Sequence, residues 1–243
     1  MSFFEKLAAT WLDVLGEPPT QRQVIQFARY ADLLIEWNQR INLTAIIEPE
    51  EIVVKHFFDS LSLLAALDSV ASEPFRLIDV GSGAGFPGMA LAIMRPTWQI
   101  SLLDSTRKKV DFLRLVAHEL GLLDQVTPLW GRAETLGRQA SHREQYDAAA
   151  ARAVASLPTL AEYCLPFVRV GGHWVAQKGP KAKEDLKHSR NAFGQLGGKL
   201  RAVEAVSVPG ISNQVRNLVI VQKTKPTPRT FPRRPGTPSK RPL

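Results

Sequence analysis

The stretch DVGSGAGFPG, residues 79–88, decides the fold of this chain. It follows an apolar run, FRLIDV (75–80), and opens a helix, so it forms a glycine-rich turn between a strand and a helix. Gly81, Gly83 and Gly85 come directly after the strand, where a backbone without side chains can approach a ligand closely. A turn in this position lines the nucleotide-binding crevice of doubly wound α/β folds. The stretch therefore predicts an α/β domain with a cofactor crevice after its first strand.

The charge and the proline of this turn favour one kind of cofactor. A pyrophosphate binds best at a helix N-terminus rich in N–H donors, whereas Pro87 removes one donor there and Asp79 adds negative charge. Asp79 suits instead a cofactor that carries an ammonium and a sulfonium group. The turn thus favours S-adenosylmethionine over a dinucleotide. A glycine turn that only joins strand to helix is the alternative.

Acidic residues follow the next two strands as well. Asp104 ends the run QISLLD (99–104), where a carboxylate can accept both ribose hydroxyls or cap the helix that starts near Thr106. Glu134 follows the third strand, where an adenine ring is expected, with the Ala133 N–H facing a ring nitrogen. A single glutamate in this position is more often a solvated residue at a helix start. Acids after three successive strands favour a cofactor site.

The apolar runs predict a seven-stranded, mainly parallel sheet with helices on both faces. Residues 1–70 are predicted to form a helical extension, 71–223 a Rossmann-like domain, and 224–243 a disordered basic tail rich in proline. The last two strands lie close together, which predicts an antiparallel hairpin. The candidate strands are 75–80, 99–104, 125–130, 146–151, 173–177, 200–208 and 216–223.

Helical periodicity dominates the first seventy residues. The pattern predicts an amphipathic helix over 1–17, rather than a signal peptide, because charged residues interrupt its apolar positions. Thr20 is the expected N-cap of a helix over 21–39, and a further helix is predicted over 49–67.

Charge and composition bound the kind of protein. The 243 residues carry a net charge of +8, and six positive residues lie in 224–243 together with six prolines and no acid. Proline prevents helix and sheet there, so the tail is predicted to be either a solubilising tail or an arm that follows a polyanion's phosphates. The single cysteine, Cys164, excludes an intramolecular disulfide. Since no apolar run is long enough for a membrane span, we expect a cytoplasmic protein.

Ordered motifs between Trp37 and Gly179 carry a family resemblance. They are WNQRINLTAI (37–46), HFFDSL (56–61), DVGSGAGFPG (79–88), LLDSTRKKVDFL (102–113), GRAE (131–134) and ARAVASL (151–157). Together they resemble the bacterial small-subunit ribosomal RNA methyltransferase G family, also called glucose-inhibited division protein B. The resemblance implies a class I S-adenosylmethionine-dependent methyltransferase fold and that cofactor as methyl donor. It also implies methylation of N7 of one guanine, guanine 527, in 16S ribosomal RNA.

The resemblance further implies the binding positions and the partner. The cofactor-binding positions it implies are Gly81, Phe86, Ala133, Glu134 and Arg152. The implied partner is 16S ribosomal RNA, within the small ribosomal subunit or its precursor, and we expect a monomer with no membrane partner. Two departures stand out: Ala151 replaces the serine usual in the family, and the basic tail extends beyond the usual family end.

Arg152 and Lys178 are the candidate contacts to the substrate. Arg152 follows the fourth strand, where it can bind a guanine O6, a phosphate or the end of the cofactor. The alternative is a structural arginine paired with Asp79 or Asp147. Lys178 ends the fifth strand at the same edge of the sheet and can contact an RNA phosphate.

The reactive side chains are consistent with transfer to guanine N7. Methylation of cytosine C5 needs a cysteine nucleophile, and Cys164 lies in an apolar helical pattern typical of a core. Guanine N7 carries a lone pair and no proton, so no general base is needed. His56 and Asp59 in HFFDSL could serve as acid and base, but we expect His56 to be packed. No metal-ligand spacing is present. A small-molecule methyltransferase, a non-catalytic RNA-binding protein and an NAD-dependent oxidoreductase are the competing hypotheses.

Overall fold

A computed structural model describes residues 11, 16–152, 155–180, 182–187, 189–211 and 215–243. The helix predicted over 1–17 lies almost wholly outside the described residues. Trp11, which belongs to that predicted helix, is buried and packs edge-on against Phe27, with ring centroids 4.8 Å apart. Among the helices of the described ranges, none has the length and apolarity that a bilayer span requires.

The described elements alternate between strand and helix after residue 75. The strands are β1 (Arg76–Val80), β2 (Gln99–Asp104), β3 (Val126–Trp130), β4 (Tyr146–Arg152), β5 (Val168–Lys178), β6 (Gly198–Val206) and β7 (Arg216–Lys223). The helices before the sheet are α1 (Gln21–Asn38), α2 (Pro49–Ile52), a π-helical segment (Val53–Phe58), α3 (Asp59–Leu61) and α4 (Leu64–Leu67). The later helices are α5 (Gly88–Met94), α6 (Arg107–Glu119), α7 (Ala133–Leu136), α8 (Leu157–Cys164), α9 (Ala182–Lys187), α10 (Arg190–Gln195) and α11 (Thr237–Lys240).

The strands form one sheet in the order β3-β2-β1-β4-β5-β7-β6. The first five of these pair in parallel, while β7 pairs antiparallel with both β5 and β6. This confirms the mainly parallel sheet with a final antiparallel hairpin, although the chain places β7 inside the sheet and β6 at its edge. The strand order reverses between β1 and β4. Ligands of doubly wound folds bind at such a reversal, outside the carboxyl ends of the strands.

The sheet is buried on both faces, which explains the nearly continuous apolar runs of its strands. In β1, Leu77 belongs to the core under α1, α5 and α6, and Ile78 belongs to the core under α7, α8 and α10. The alternating side-chain directions of a strand produce this division. The alanine run of β4, residues 148–151, alternates between the same two cores.

The N-terminal helices share a core with the sheet rather than forming a separate unit. Thr20 caps α1 through a capping box with Gln23, as predicted, and the helix buries Phe27, Tyr30 and Leu34. These side chains lie in the same apolar cluster as the first strands and α5. The helical extension therefore contributes directly to the position of the glycine-rich turn.

The single helix predicted over 49–67 is wrong in detail, because the segment is interrupted. The structure has α2, the π-helical segment, α3 and α4 in its place. Ser60 Oγ donates to the His56 carbonyl at 2.6 Å and Ser62 Oγ donates to the Asp59 carbonyl at 2.7 Å. Side-chain hydroxyls that bond nearby carbonyls compete with the regular helical ladder. The interruption sets the directions of His56 and Asp59.

The C-terminal segment (224–243) packs against the body, which corrects the prediction of a disordered tail. Proline lacks an N–H but keeps its carbonyl, so a proline-rich segment is bound through acceptors. Arg138 donates to the carbonyls of Arg229, Thr230 and Pro232. Arg143 donates to the carbonyls of Thr227, Pro228 and Phe231. The prediction that proline prevents helix here is also wrong, because α11 lies within the segment, and composition did not indicate the two arginines of the body that hold it.

Candidate functional site

A cavity of about 600 Å³, called here the crevice, opens at the carboxyl ends of β1, β2 and β4. The glycine-rich turn forms one wall, with Gly81 at φ 80° and Gly83 at φ 59°. Residues with a side chain are strained at such φ values, so the turn depends on glycine. The N–H groups of Gly81 and Ser82 donate to the Leu103 carbonyl at 2.8 and 3.0 Å, which ties the turn to β2.

Two residues predicted to bind the cofactor lie beneath the turn instead of in the crevice. Asp79 is fully buried, and its Oδ2 accepts the Gly88 N–H at 2.9 Å, so the carboxylate holds the start of α5. Its Oδ1 has no partner among the described residues, and burial is the main cause that raises the pKa of Asp79 to about 7. At Gly85, with φ 105°, a Cβ would collide with the Tyr30 hydroxyl. The expectation that Asp79 faces a cationic cofactor is corrected by its burial.

Asp104 accepts a hydrogen bond on each carboxylate oxygen, and its binding of ribose hydroxyls stays a prediction. It lines the crevice at the end of β2. Its Oδ1 accepts the Thr106 N–H at 2.7 Å, which caps the turn before α6, and its Oδ2 accepts the Gly83 N–H at 3.0 Å. Each carboxylate oxygen has a second lone pair that can accept a hydroxyl from a ligand. Asp104 therefore both shapes the crevice and offers acceptors to it.

An aromatic stack joins the turn to the N-terminal helices. The Phe86 ring stacks on Tyr30 of α1 with centroids 5.2 Å apart, and on His56 of the π-helical segment with centroids 4.5 Å apart. The Arg152 guanidinium carbon lies 5.1 Å from the Phe86 centroid, within the range of a cation–π contact. Tyr30 also donates to the Ala84 carbonyl at 2.5 Å. These contacts fix the floor of the crevice from outside the sheet.

His56 is a packed, neutral side chain, as the sequence predicted. Burial and then the nearby Arg152 lower its pKa to about 3. Arg152 Nη2 donates to His56 Nδ1 at 3.1 Å, so the ring proton lies on Nε2, which is 2.8 Å from Thr44 Oγ1. Both ring nitrogens are therefore within hydrogen-bond distance of a partner, Thr44 or Arg152.

Arg152 also lines a second cavity, of about 340 Å³, which shares Arg152 and His56 with the crevice. In this cavity Asp59 Oδ2 accepts from Arg152 Nη1 at 3.1 Å, and Asp59 Oδ1 accepts from Arg216 Nε at 2.7 Å. Gln177 Nε2 donates to the same Oδ1 at 3.2 Å. The structural partner of Arg152 is therefore Asp59, in place of the Asp79 or Asp147 that the sequence suggested.

Lys178 lines the second cavity, as its position at the end of β5 predicted. Its ammonium donates to the Ala155 carbonyl at 2.9 Å and lies 3.2 Å from a carboxylate oxygen of Asp185. The contact of Lys178 with an RNA phosphate stays a prediction.

Ala133 and Glu134 start α7, directly after β3, and both are buried. Neither belongs to the part of the crevice wall that the described residues form. Glu134 Oε1 accepts the Gly236 N–H of the C-terminal segment at 2.9 Å. The contact of this pair with an adenine ring stays a prediction.

The sequence did not predict which charged side chains form ion pairs in the second cavity. The HFFDSL motif marks Asp59 as a candidate acid or base but does not indicate its partners, and Arg216 lies 157 residues away at the start of β7. No local pattern links positions so far apart, so only the sheet order could reveal the pair. Cys164 is fully buried in the core as predicted, and burial raises the pKa of its thiol well above the usual range.

Comparison with known proteins identifies the family. A curated relative from Alkaliphilus metalliredigens, named ribosomal RNA small subunit methyltransferase G, is 50% identical over 229 residues and covers 94% of each chain. A relative of the same name from Clostridium perfringens is 44% identical and covers 100% of each chain. The C-terminal segment is therefore present in this relative, which corrects the expectation that it exceeds the family's usual end.

A solved structure supports the same fold at lower identity. Geranyl diphosphate C-methyltransferase from Streptomyces coelicolor is 14% identical, with a TM-score of 0.54 over 85% of this chain and 100% of that chain. The family profile described as rRNA small subunit methyltransferase G matches residues 23–219. The chain therefore belongs to the rRNA small subunit methyltransferase G family.

Proposed function

We propose that this chain transfers a methyl group from S-adenosylmethionine to N7 of a guanine in 16S ribosomal RNA. The observation that carries the proposal is the pair of adjoining cavities at the strand ends, which share Arg152 and His56. A methyltransferase must hold the methyl donor and the acceptor atom on opposite sides of the methyl group that is transferred. The crevice takes the cofactor and the second cavity takes the guanine, with the Arg152 guanidinium at their boundary.

The residues of the crevice fit this cofactor. The positive φ values of Gly81 and Gly83 leave room for close approach along the turn, and the Asp104 carboxylate can accept ribose hydroxyls. In the proposal, Ala133 and Glu134 contact the adenine ring from the start of α7. When bound, S-adenosylmethionine supplies an electrophilic methyl group on a sulfonium.

The second cavity fits an electron-rich base that needs no deprotonation. His56 is neutral and uses both ring nitrogens, and Asp59 is held by two arginines, so neither is available as a general base. Guanine N7 needs none, because its lone pair is in the ring plane. The residues then act by alignment and by positive charge near the guanine O6, which Arg152 supplies.

The rim of the second cavity suits an RNA backbone. Lys55, Lys178 and Arg216 line it together with Arg152, so the lining holds four cationic side chains and one carboxylate, that of Asp59. Phosphates are bound mainly by such side chains. The relatives from Alkaliphilus metalliredigens and Clostridium perfringens are named as methyltransferases of small-subunit ribosomal RNA. We extend this to a cytoplasmic monomer that acts on the small subunit or its precursor.

Calorimetry and label transfer test the proposal together. Titration with S-adenosylmethionine and, separately, with NAD decides the cofactor, and we expect saturable binding of the first alone. Transfer of a labelled methyl group is then measured on three acceptors: small subunits from a strain that lacks this gene, naked 16S RNA, and the small-molecule pool of the same strain. Label in 16S RNA supports the proposal. Label confined to small molecules, or binding of NAD alone, contradicts it.

A further inference from the structure

The C-terminal segment supplies the partner of a carboxylate that is buried in the body. The Glu162 side chain, in α8, has no exposed surface. The Arg233 guanidinium donates to both of its carboxylate oxygens at 2.6 to 3.0 Å, and the Arg233 backbone N–H donates to Oε1 at 2.6 Å. Within the described ranges no other group donates to Glu162. A buried carboxylate without its partner is strongly destabilising, so the segment is an integral part of the domain.

Beyond this anchor, the segment crosses the starts of α7 and α8. Gly236, with φ 79°, donates its N–H to Glu134 Oε1 at 2.9 Å, and the Glu134 side chain is buried. Pro238 is buried, and its carbonyl accepts from Thr159 Oγ1 at 3.1 Å. We call residues 233–239 the strap. The strap binds the first turns of the two helices that follow β3 and β4.

The strap donates a hydrogen bond to one carboxylate oxygen of Glu134 and none to the other. Oε1 is bound by Gly236, whereas Oε2 accepts no hydrogen bond from the part of the chain that the structure describes. An adenine ring carries an exocyclic amino group that donates hydrogen bonds. A carboxylate fixed on one oxygen can accept such a donor on the other without losing further side-chain freedom.

We propose that the strap is a positioning element of the cofactor site, anchored by the Arg233–Glu162 pair and acting through Gly236 on Glu134. The proposal rests on the proposed function, because it takes the adenine ring to lie beside Ala133 and Glu134. It gives the C-terminal segment a role in cofactor affinity that a free basic arm lacks. Release of the strap frees the Glu134 side chain and weakens S-adenosylmethionine binding, with or without RNA.

The test compares neighbouring arginines. Arg233→Gln removes the anchor, and Arg234→Gln removes an equal charge from an exposed neighbour for which the described residues show no ion pair. A chain truncated after Pro232 that also carries Glu162→Gln removes the strap without leaving the Glu162 carboxylate unpaired. Full-length Glu162→Gln is its control. The dissociation constant for S-adenosylmethionine and the thermal midpoint are measured for each, because a purely structural anchor lowers only the midpoint.

The expected result separates the two arginines. Arg233→Gln and the truncated chain bind S-adenosylmethionine about tenfold more weakly, the effect of about one lost hydrogen bond, and Arg234→Gln binds like the wild type. A folded truncated chain with wild-type affinity overturns the strap proposal, as does equal weakening by Arg234→Gln. A wild-type chain that does not bind S-adenosylmethionine at all overturns the proposed function instead, and the two failures are distinguishable.

Discussion

Replacement of Asp59 by asparagine tests the cluster at the boundary of the two cavities. The Asp59 side chain is 8% exposed, and it holds Arg152 and Arg216, whose side chains are 13% and 18% exposed. Asp59→Asn keeps the shape of the side chain and removes its charge, so the largely buried guanidinium groups of Arg152 and Arg216 both lose the charge of this carboxylate. Removal of one partner from a buried ion pair costs about 3 to 5 kcal/mol. Since the asparagine amide still accepts one hydrogen bond, we expect a destabilisation at the lower end, about 3 kcal/mol.

Activity should fall further than the loss of stability explains. Arg152 loses the carboxylate that fixes its guanidinium over Phe86, and a displacement of about 1 Å at a reacting site can reduce the rate about 100-fold. Urea unfolding gives the change in free energy, and label transfer to small subunits gives kcat and KM at a temperature where the variant is folded.

A matched control comes from the surface. Asp111 also lies between two arginines, Arg107 and Arg114, but all three side chains are about half exposed or more. Exposed pairs contribute about 0 to 1 kcal/mol, so Asp111→Asn should change neither stability nor activity appreciably. If Asp59→Asn behaves like Asp111→Asn in both assays, the reasoning about the boundary cluster is refuted.

Three further predictions concern other parts of the site. Burial raises the pKa of Asp79 to about 7, so the folded state favours the protonated carboxyl. The free energy of unfolding should therefore fall by up to about 4 kcal/mol as the pH rises from about 4 to 7. Asp79→Asn should flatten this dependence in urea unfolding, and a pH profile unchanged by the substitution contradicts the prediction. The lysine of Arg152→Lys cannot form the hydrogen bonds to Asp59 and His56 together, so we expect kcat to fall about tenfold or more with little change in thermal midpoint. A kcat equal to that of the wild type would show that Arg152 does not act in the site. Lys240 and Arg241 are exposed on the docked C-terminal segment. Their joint replacement by glutamine should reduce the slope of log KM for small subunits against log salt concentration by up to about two. A slope identical to that of the wild type means that neither residue contacts the RNA.

The fold was largely predictable from local patterns. Each strand could be located because the buried sheet requires short apolar runs between helices, and Thr20 marked the start of α1 by its capping chemistry. The position of β7 between β5 and β6 was not predictable, because adjacency of strands depends on pairing across the sheet. The helix over 49–67 contains the π-helical segment Val53–Phe58, which the apolar periodicity does not indicate.

The candidate site was predictable where a functional residue lies at or directly after the end of a strand. Gly81, Asp104 and Arg152 all line the crevice, as their positions after β1, β2 and β4 require. Asp79 lies within β1, one residue before its end, and its carboxylate accepts the Gly88 N–H beneath the turn. The docking of the C-terminal segment was unpredictable, because its partners are side chains of the body and carry no signal within the segment.

The most direct test of the central claim is the identity of the methylated nucleoside. Small subunits from a strain lacking this gene are incubated with the wild-type protein and labelled S-adenosylmethionine, and their 16S RNA is digested to nucleosides and separated by chromatography. We predict that 7-methylguanosine is the single labelled product, and that Arg152→Lys forms it more slowly under the same conditions. Label in any other nucleoside, or no label in the RNA, contradicts it.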